Sequence, residues 1–152
     1  MTDLNLLERW ARSLLQAHPT TTQWSFGFDR ARARAGQCNF TDHRITISRY
    51  VAERASWSEA QQVVLHELAH ALSGPRAGHG PVWRTCARRL GYEGGRLYPG
   101  EATHDMAPWV GSCPRGHSHY RFRRPERPLS CGACARSFDA ANLITWERRD
   151  IH

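Results

Sequence analysis

The chain has 152 residues, 40% of them hydrophobic and 23% charged, which gives room for one compact domain and a small appendage. Its net charge is +7, and all 21 basic residues are Arg, the better bidentate partner for phosphate. No apolar run approaches about 18 residues, which excludes a membrane-spanning helix.

The opening M-T-D-L-N-L-L-E-R-W has an acid where a signal peptide needs bases, and no continuous apolar stretch. A cytoplasmic monomer is expected. Five cysteines, three of them near the C-terminus, fit a reducing compartment and a metal site better than a secreted disulfide framework.

From residue 3 to 17, Leu4, Leu6, Leu7, Trp10, Ala11, Leu14 and Leu15 recur at helical spacing, which predicts an amphipathic helix ending before His18-Pro19. Thr20 to Gln23 reads as a turn. Trp24 to Phe28 alternates aromatic and small residues, a strand with its aromatics on one face. Arg30, Arg32 and Arg34, alternating with alanines, either extend that strand or cross to the next. Gly36–Phe40 and Arg44–Ser48 read as two strands of a hairpin turned at Thr41, Asp42 and His43. The lone Cys38 reads as a small buried hydrophobe.

Residues 63 to 72, V-V-L-H-E-L-A-H-A-L, hold the pattern H-E-x-x-H. An α-helix turns once every ~3.6 residues, so His66 and His70 lie on one face and aim at a common point. Two imidazoles with an open position beside them begin a catalytic zinc site, and Glu67 is close enough to serve as general base. Ser56 with Glu59, or Ser58 with Gln61, can form a capping box at the start of this helix. A third ligand is expected from His79, nine positions after His70 in a Gly- and Pro-rich return. Val82, Trp83, Cys86, Ala87 and Leu90 then predict a second helix, with Pro81 in its first turn and Gly91 past its end.

Residues 91 to 108 carry Gly and Pro without periodicity and read as a loop. Tyr92, Tyr98, His104 and Asp105 fall in it, and a loop placed there can line the cleft. Cys131 and Cys134 then form a C-x-x-C knuckle, and Cys113 with His117 supplies a second arm. These four suit a closed structural zinc site, a zinc ribbon, with His119 the alternative fourth ligand. So short a segment buries little core, so the metal would organise its folding. Six arginines against Glu126 alone give +5 between Cys113 and Arg136. Arg115, Arg121, Arg123, Arg124 and Arg127, interleaved with Tyr120 and Phe122, suit phosphate contacts plus base stacking on single-stranded or irregular DNA. A solvated basic hairpin is the plainer reading of the same charge. Trp146 is expected to pack the ribbon onto the body.

H-E-L-A-H-A-L, then G-H-G-P-V-W, then R-L-G-Y resembles the SprT-like (Spartan-type) zinc metalloprotease family, whose pattern is H-E-x-x-H, a variable gap, then H-G-x-x-[W/F]. The metzincin spacing, with a third His six positions on, does not fit. The resemblance implies an α+β fold: a minimal zincin-like domain of helices packed on a small antiparallel-containing sheet over residues 1–108. A zinc ribbon over 109–146 and a flexible tail over 147–152 would follow. It implies hydrolysis of peptide bonds with one catalytic and one structural Zn²⁺, acting on protein substrates crosslinked to DNA, in the cytoplasm and at the nucleoid. An inactive nucleic-acid-binding regulator and a general peptidase with no DNA role stand as alternatives.

Overall fold

The structure, a computed structural model, describes residues 1–94 and 104–151. It is α+β and divides into two compact units, Met1–Ala102 and Thr103–His152. No helix among the described residues is long and apolar enough to cross a membrane.

The first unit opens with α1, Leu4–Ala17. Asp3 caps it, its carboxylate accepting the backbone N–H groups of Asn5 and Leu6 at 2.9 and 3.1 Å. Leu7, Ala11 and Leu15, four residues apart, form its buried stripe. Three strands follow: β1 (Ser25–Asp29), β2 (Gly36–Asn39) and β3 (Arg44–Ser48), arranged β1-β3-β2. The expected hairpin is β2 with β3, antiparallel, while β1 runs parallel to β3. Arg30, Arg32 and Arg34 therefore lie in a crossing loop, not in an extension of β1. Ser48 fastens that loop: its hydroxyl donates to Ala31 O and its backbone N–H to Ala35 O at 2.7 Å.

Ser48 also caps α2 (Arg49–Arg54), a short helix absent from the sequence expectation. The long helix α3 (Trp57–Ser73) begins at Ser56, and of the two capping boxes it is Ser56 with Glu59 that forms. Ser56 N–H donates to Glu59 Oε2 at 2.7 Å, and Glu59 N–H to Ser56 Oγ at 3.2 Å. α3 buries Ala60, Val63, Val64, Leu68 and Ala71 with Leu7, Phe26, Ile45 and Ile47 in the main core. Helix α4 (Pro81–Arg89) packs Trp83 and Ala87 on Ala69 of α3 in a second cluster. Apolar burial on one side of α3 thus leaves the histidine side for the site.

The second unit is an antiparallel sheet, β4 (Trp109–Ser112), β5 (Ser118–Arg121) and β6 (Thr145–Arg148), in the order β5-β4-β6. Gly111 sits in the central strand because a Cβ there would collide with Ile144 and lie 2.8 Å from Trp146 Cε3. Trp146 therefore packs over Gly111 of its own sheet. β6 also carries Glu147 and Arg148 into a strand, and the Arg149 guanidinium donates to the Ala107 and His104 carbonyls. Ladder and side-chain hydrogen bonds thus hold three residues of the stretch expected to be a flexible tail.

The capping geometry separates two serines two residues apart. Ser56→Ala is expected to lower unfolding stability by about 1 kcal/mol, and exposed Ser58→Ala by less than about 0.5 kcal/mol, in chemical denaturation at fixed slope.

Candidate metal centres

Helical register brings His66 and His70 together, and the turn after α3 delivers His79 to them. Gly74 (φ 93°) and Gly78 (φ 52°) both take left-handed backbone in that turn, which lets the seven residues between α3 and α4 reverse the chain. Nε2 of His79 lies 3.0 Å from Nε2 of His70 and 3.2 Å from Nε2 of His66. Trp83 backs the group, its ring centroid 4.8 to 5.4 Å from all three imidazoles, and its indole N–H donates to the His66 carbonyl at 3.3 Å.

These spacings suit zinc. Tetrahedral ligands at a Zn–N distance of about 2.0 Å have nitrogens about 3.3 Å apart. Burial, then the charges of His70 and His79, push His66 down to about 4, and burial with His79 lowers His70 as well. Both are therefore neutral at pH 7, the form that binds metal. Neutral Nε2 lone pairs this close repel unless a shared cation lies among them.

Glu67, the next residue along the helix from His66, is only 8% exposed. Burial raises its carboxyl to about 7, and the Arg34 charge opposes that rise. Arg34 is anchored by Asp29, which accepts from Arg34 Nη1 and Thr46 Oγ1, each at 2.7 Å, and from Ala31 N–H at 2.9 Å. Burial works against ionisation of Asp29, but those hydrogen bonds outweigh it and hold its carboxyl below the usual range. Edge strand β2 runs close beside Glu67: a Cβ on Gly36 would lie 2.9 Å from Glu67 Cγ and 3.0 Å from Oε1. Cys38 packs against the core half-buried, and burial, aided by the Glu67 charge, pushes its thiol up to about 12, so it is inert.

Cys113, His117, Cys131 and Cys134 form the second cluster. His117 Nδ1 lies 3.3, 3.5 and 3.3 Å from the sulfurs of Cys113, Cys131 and Cys134, and two sulfurs are 3.8 Å apart. A tetrahedron with Zn–S of about 2.3 Å gives S···S near 3.8 Å, so this donor set also fits zinc. Desolvation opposes ionisation of Cys113, yet hydrogen bonds from His117 lower its thiol to about 6, close to the thiolate that zinc requires. Gly116 (φ 86°) makes the tight turn that folds His117 back. His119 instead lies opposite Gly111 in β5, beside Trp146 and away from the sulfurs.

The remaining predicted residues are more scattered. Arg115, Arg121, Arg123, Arg124 and Arg127 are all exposed, and Phe122 is half-buried. Tyr120 is already stacked on His104, centroids 3.8 Å apart, with Arg149 above its ring. His104 is thereby engaged inside the second unit, and Tyr98 lies outside the described residues. Tyr92 stands at the first metal centre. Phe138, 63% exposed near the C-x-x-C knuckle, is a further aromatic, one that no periodicity in its surroundings marks in the sequence.

A family model described as the SprT-like family matches residues 4–104. Neither a curated protein nor a solved structure matches the chain.

If each cluster holds one ion, metal analysis of the purified protein will give two zincs per chain. His70→Ala should leave one, and the double substitution Cys131→Ser with Cys134→Ser should also leave one.

Proposed function

The chain belongs to the SprT-like family, and from that premise we propose that it is a zinc-dependent peptidase acting on proteins attached to DNA. The family's zinc metalloprotease-type domain corresponds to the first unit. The observation that carries the reading is a buried carboxylate, Glu67, on the same helical turn as His66 and His70, whose imidazole nitrogens converge with that of His79.

His66, His70 and His79 would hold the catalytic ion. Zinc bound there supplies Lewis acidity, which makes water available as a nucleophile near neutral pH and polarises a carbonyl. Glu67 takes the proton from the attacking water and passes it to the leaving amine nitrogen. Its burial, which puts the carboxyl near neutrality, suits both halves of that transfer. The wall beside Glu67 is β2, an edge of the three-stranded sheet. An extended chain can pair with such an edge through main-chain hydrogen bonds, with little demand on its side chains. That supports a peptide substrate and loose sequence preference.

The ribbon supports the DNA arm. Arg115, Arg121, Arg123, Arg124 and Arg127 offer exposed charge for phosphates, and Phe122 and Phe138 offer rings for stacking. The Tyr120 stack on His104 removes one of the expected platforms, and this favours, as a second reading, a general peptidase with no DNA role.

Glu67→Gln, or removal of metal with EDTA, is expected to abolish cleavage of a protein crosslinked to single-stranded DNA, with a loss of at least about 100-fold. Gly36→Ala should displace the Glu67 carboxylate and slow cleavage roughly 100-fold while zinc content stays at the wild-type value.

Replacing Arg121, Arg123 and Arg124 by Gln should weaken single-stranded DNA binding and flatten its salt dependence by about 0.7 in log–log slope per lost phosphate contact. An unchanged slope, with casein cleavage indifferent to added DNA, would select the general peptidase.

A further inference from the structure

We propose that Tyr92 is a positioning residue for His66, and that Gln62 is the side chain that puts Tyr92 in place. The inference rests on the zinc reading of the His66, His70 and His79 cluster.

His66 turns Nε2 toward the other two imidazoles, which leaves Nδ1 on the far side of the ring. Tyr92 Oη lies 3.4 Å from that Nδ1. With Nε2 given to a metal, a neutral imidazole carries its proton on Nδ1, so the ring donates and the phenol oxygen accepts. Such a partner fixes both the tautomer and the rotation of a ligating ring. The Tyr92 ring also meets His66 edge-on, at 5.5 Å and 71°, and stands 5.7 Å from Trp83.

Tyr92 follows α4 and belongs to no helix or strand, so something must hold it. Gly91 (φ 90°) turns the chain, and Tyr92 N–H donates to Ala87 O at 2.9 Å. The Gln62 amide then spans the residue from both sides: Nε2 donates to Gly91 O at 3.3 Å, and Oε1 accepts from Glu93 N–H at 2.8 Å. Only an amide both donates and accepts in this way; a carboxylate of the same shape would lose the bond to Gly91. Gln62 stands four residues before His66 on α3, on the same helical face. The clamp and the ligand it serves therefore share one register, and rotation of α3 would move both together.

The test is chelator competition on the full chain, reading zinc affinity at the first centre, with Tyr92→Phe and Gln62→Glu. Tyr92→Phe keeps the ring and removes only the oxygen. Zinc is expected to bind the first centre about tenfold or more weakly in both variants, while ribbon zinc and the melting temperature of the metal-free protein stay at wild-type values. Wild-type zinc uptake with unchanged affinity in Tyr92→Phe would overturn this inference alone. A wild-type chain that takes up no zinc sensitive to His70→Ala would overturn the metal reading and this inference with it.

Discussion

Three imidazole lone pairs crowded around one point repel one another, and the first unit is built to hold them there. An N–H···N hydrogen bond can join two neutral rings, but the convergence of all three on one point needs the scaffold. Two of them come for no extra cost from the pitch of α3, whose opposite side is fixed in the main core by Val64, Leu68 and Ala71. The third arrives from a glycine-bent turn, and Trp83 braces all three from behind. Burial does the remaining part by keeping His66 and His70 unprotonated at neutral pH, the form in which they can share a metal ion.

The same helix creates the opposite electrostatic situation one residue along. Glu67 is driven into a poorly solvated place between α3 and edge strand β2, where its charge is disfavoured. Arg34 offsets part of that, and Arg34 is itself held by Asp29, which β3 fixes through Thr46. A carboxyl balanced in this way depends on the sheet as well as on the helix. This gives a physical reason for so small a sheet to remain beside the site, and for a glycine, Gly36, to stand where a Cβ would press on Glu67.

Much of this could be read from the amino-acid order because it is local. The stripes of α1, α3 and α4, the hairpin of β2 with β3, and the spacing of His66, Glu67 and His70 are all set within a few residues of one another. Helix α2 escaped because six residues are too few to show a period; only Ser48, its cap, marks it. The parallel pairing of β1 with β3 escaped because it is decided by a crossing loop pinned through Ser48, a contact between distant positions. Gln62 and Tyr92 are thirty residues apart and show no motif, so their association with His66 appears only in three dimensions. The choice between His117 and His119 turned on a single glycine bend, which takes one histidine to the sulfurs and leaves the other in β5.

The second unit has a thin interior. Among its described residues the buried apolar positions are Ala107 and two of the cysteines themselves, Cys113 and Cys131, and a sheet of three four-residue strands covers little else. The first unit keeps a hydrocarbon core whether or not an ion is present. Scarcity of zinc would thus be felt unequally: one half would merely be left without its ion, whereas the other would lose its reason to stay folded. Loss of metal would thus proceed in stages, a graded response written into the size of two cores.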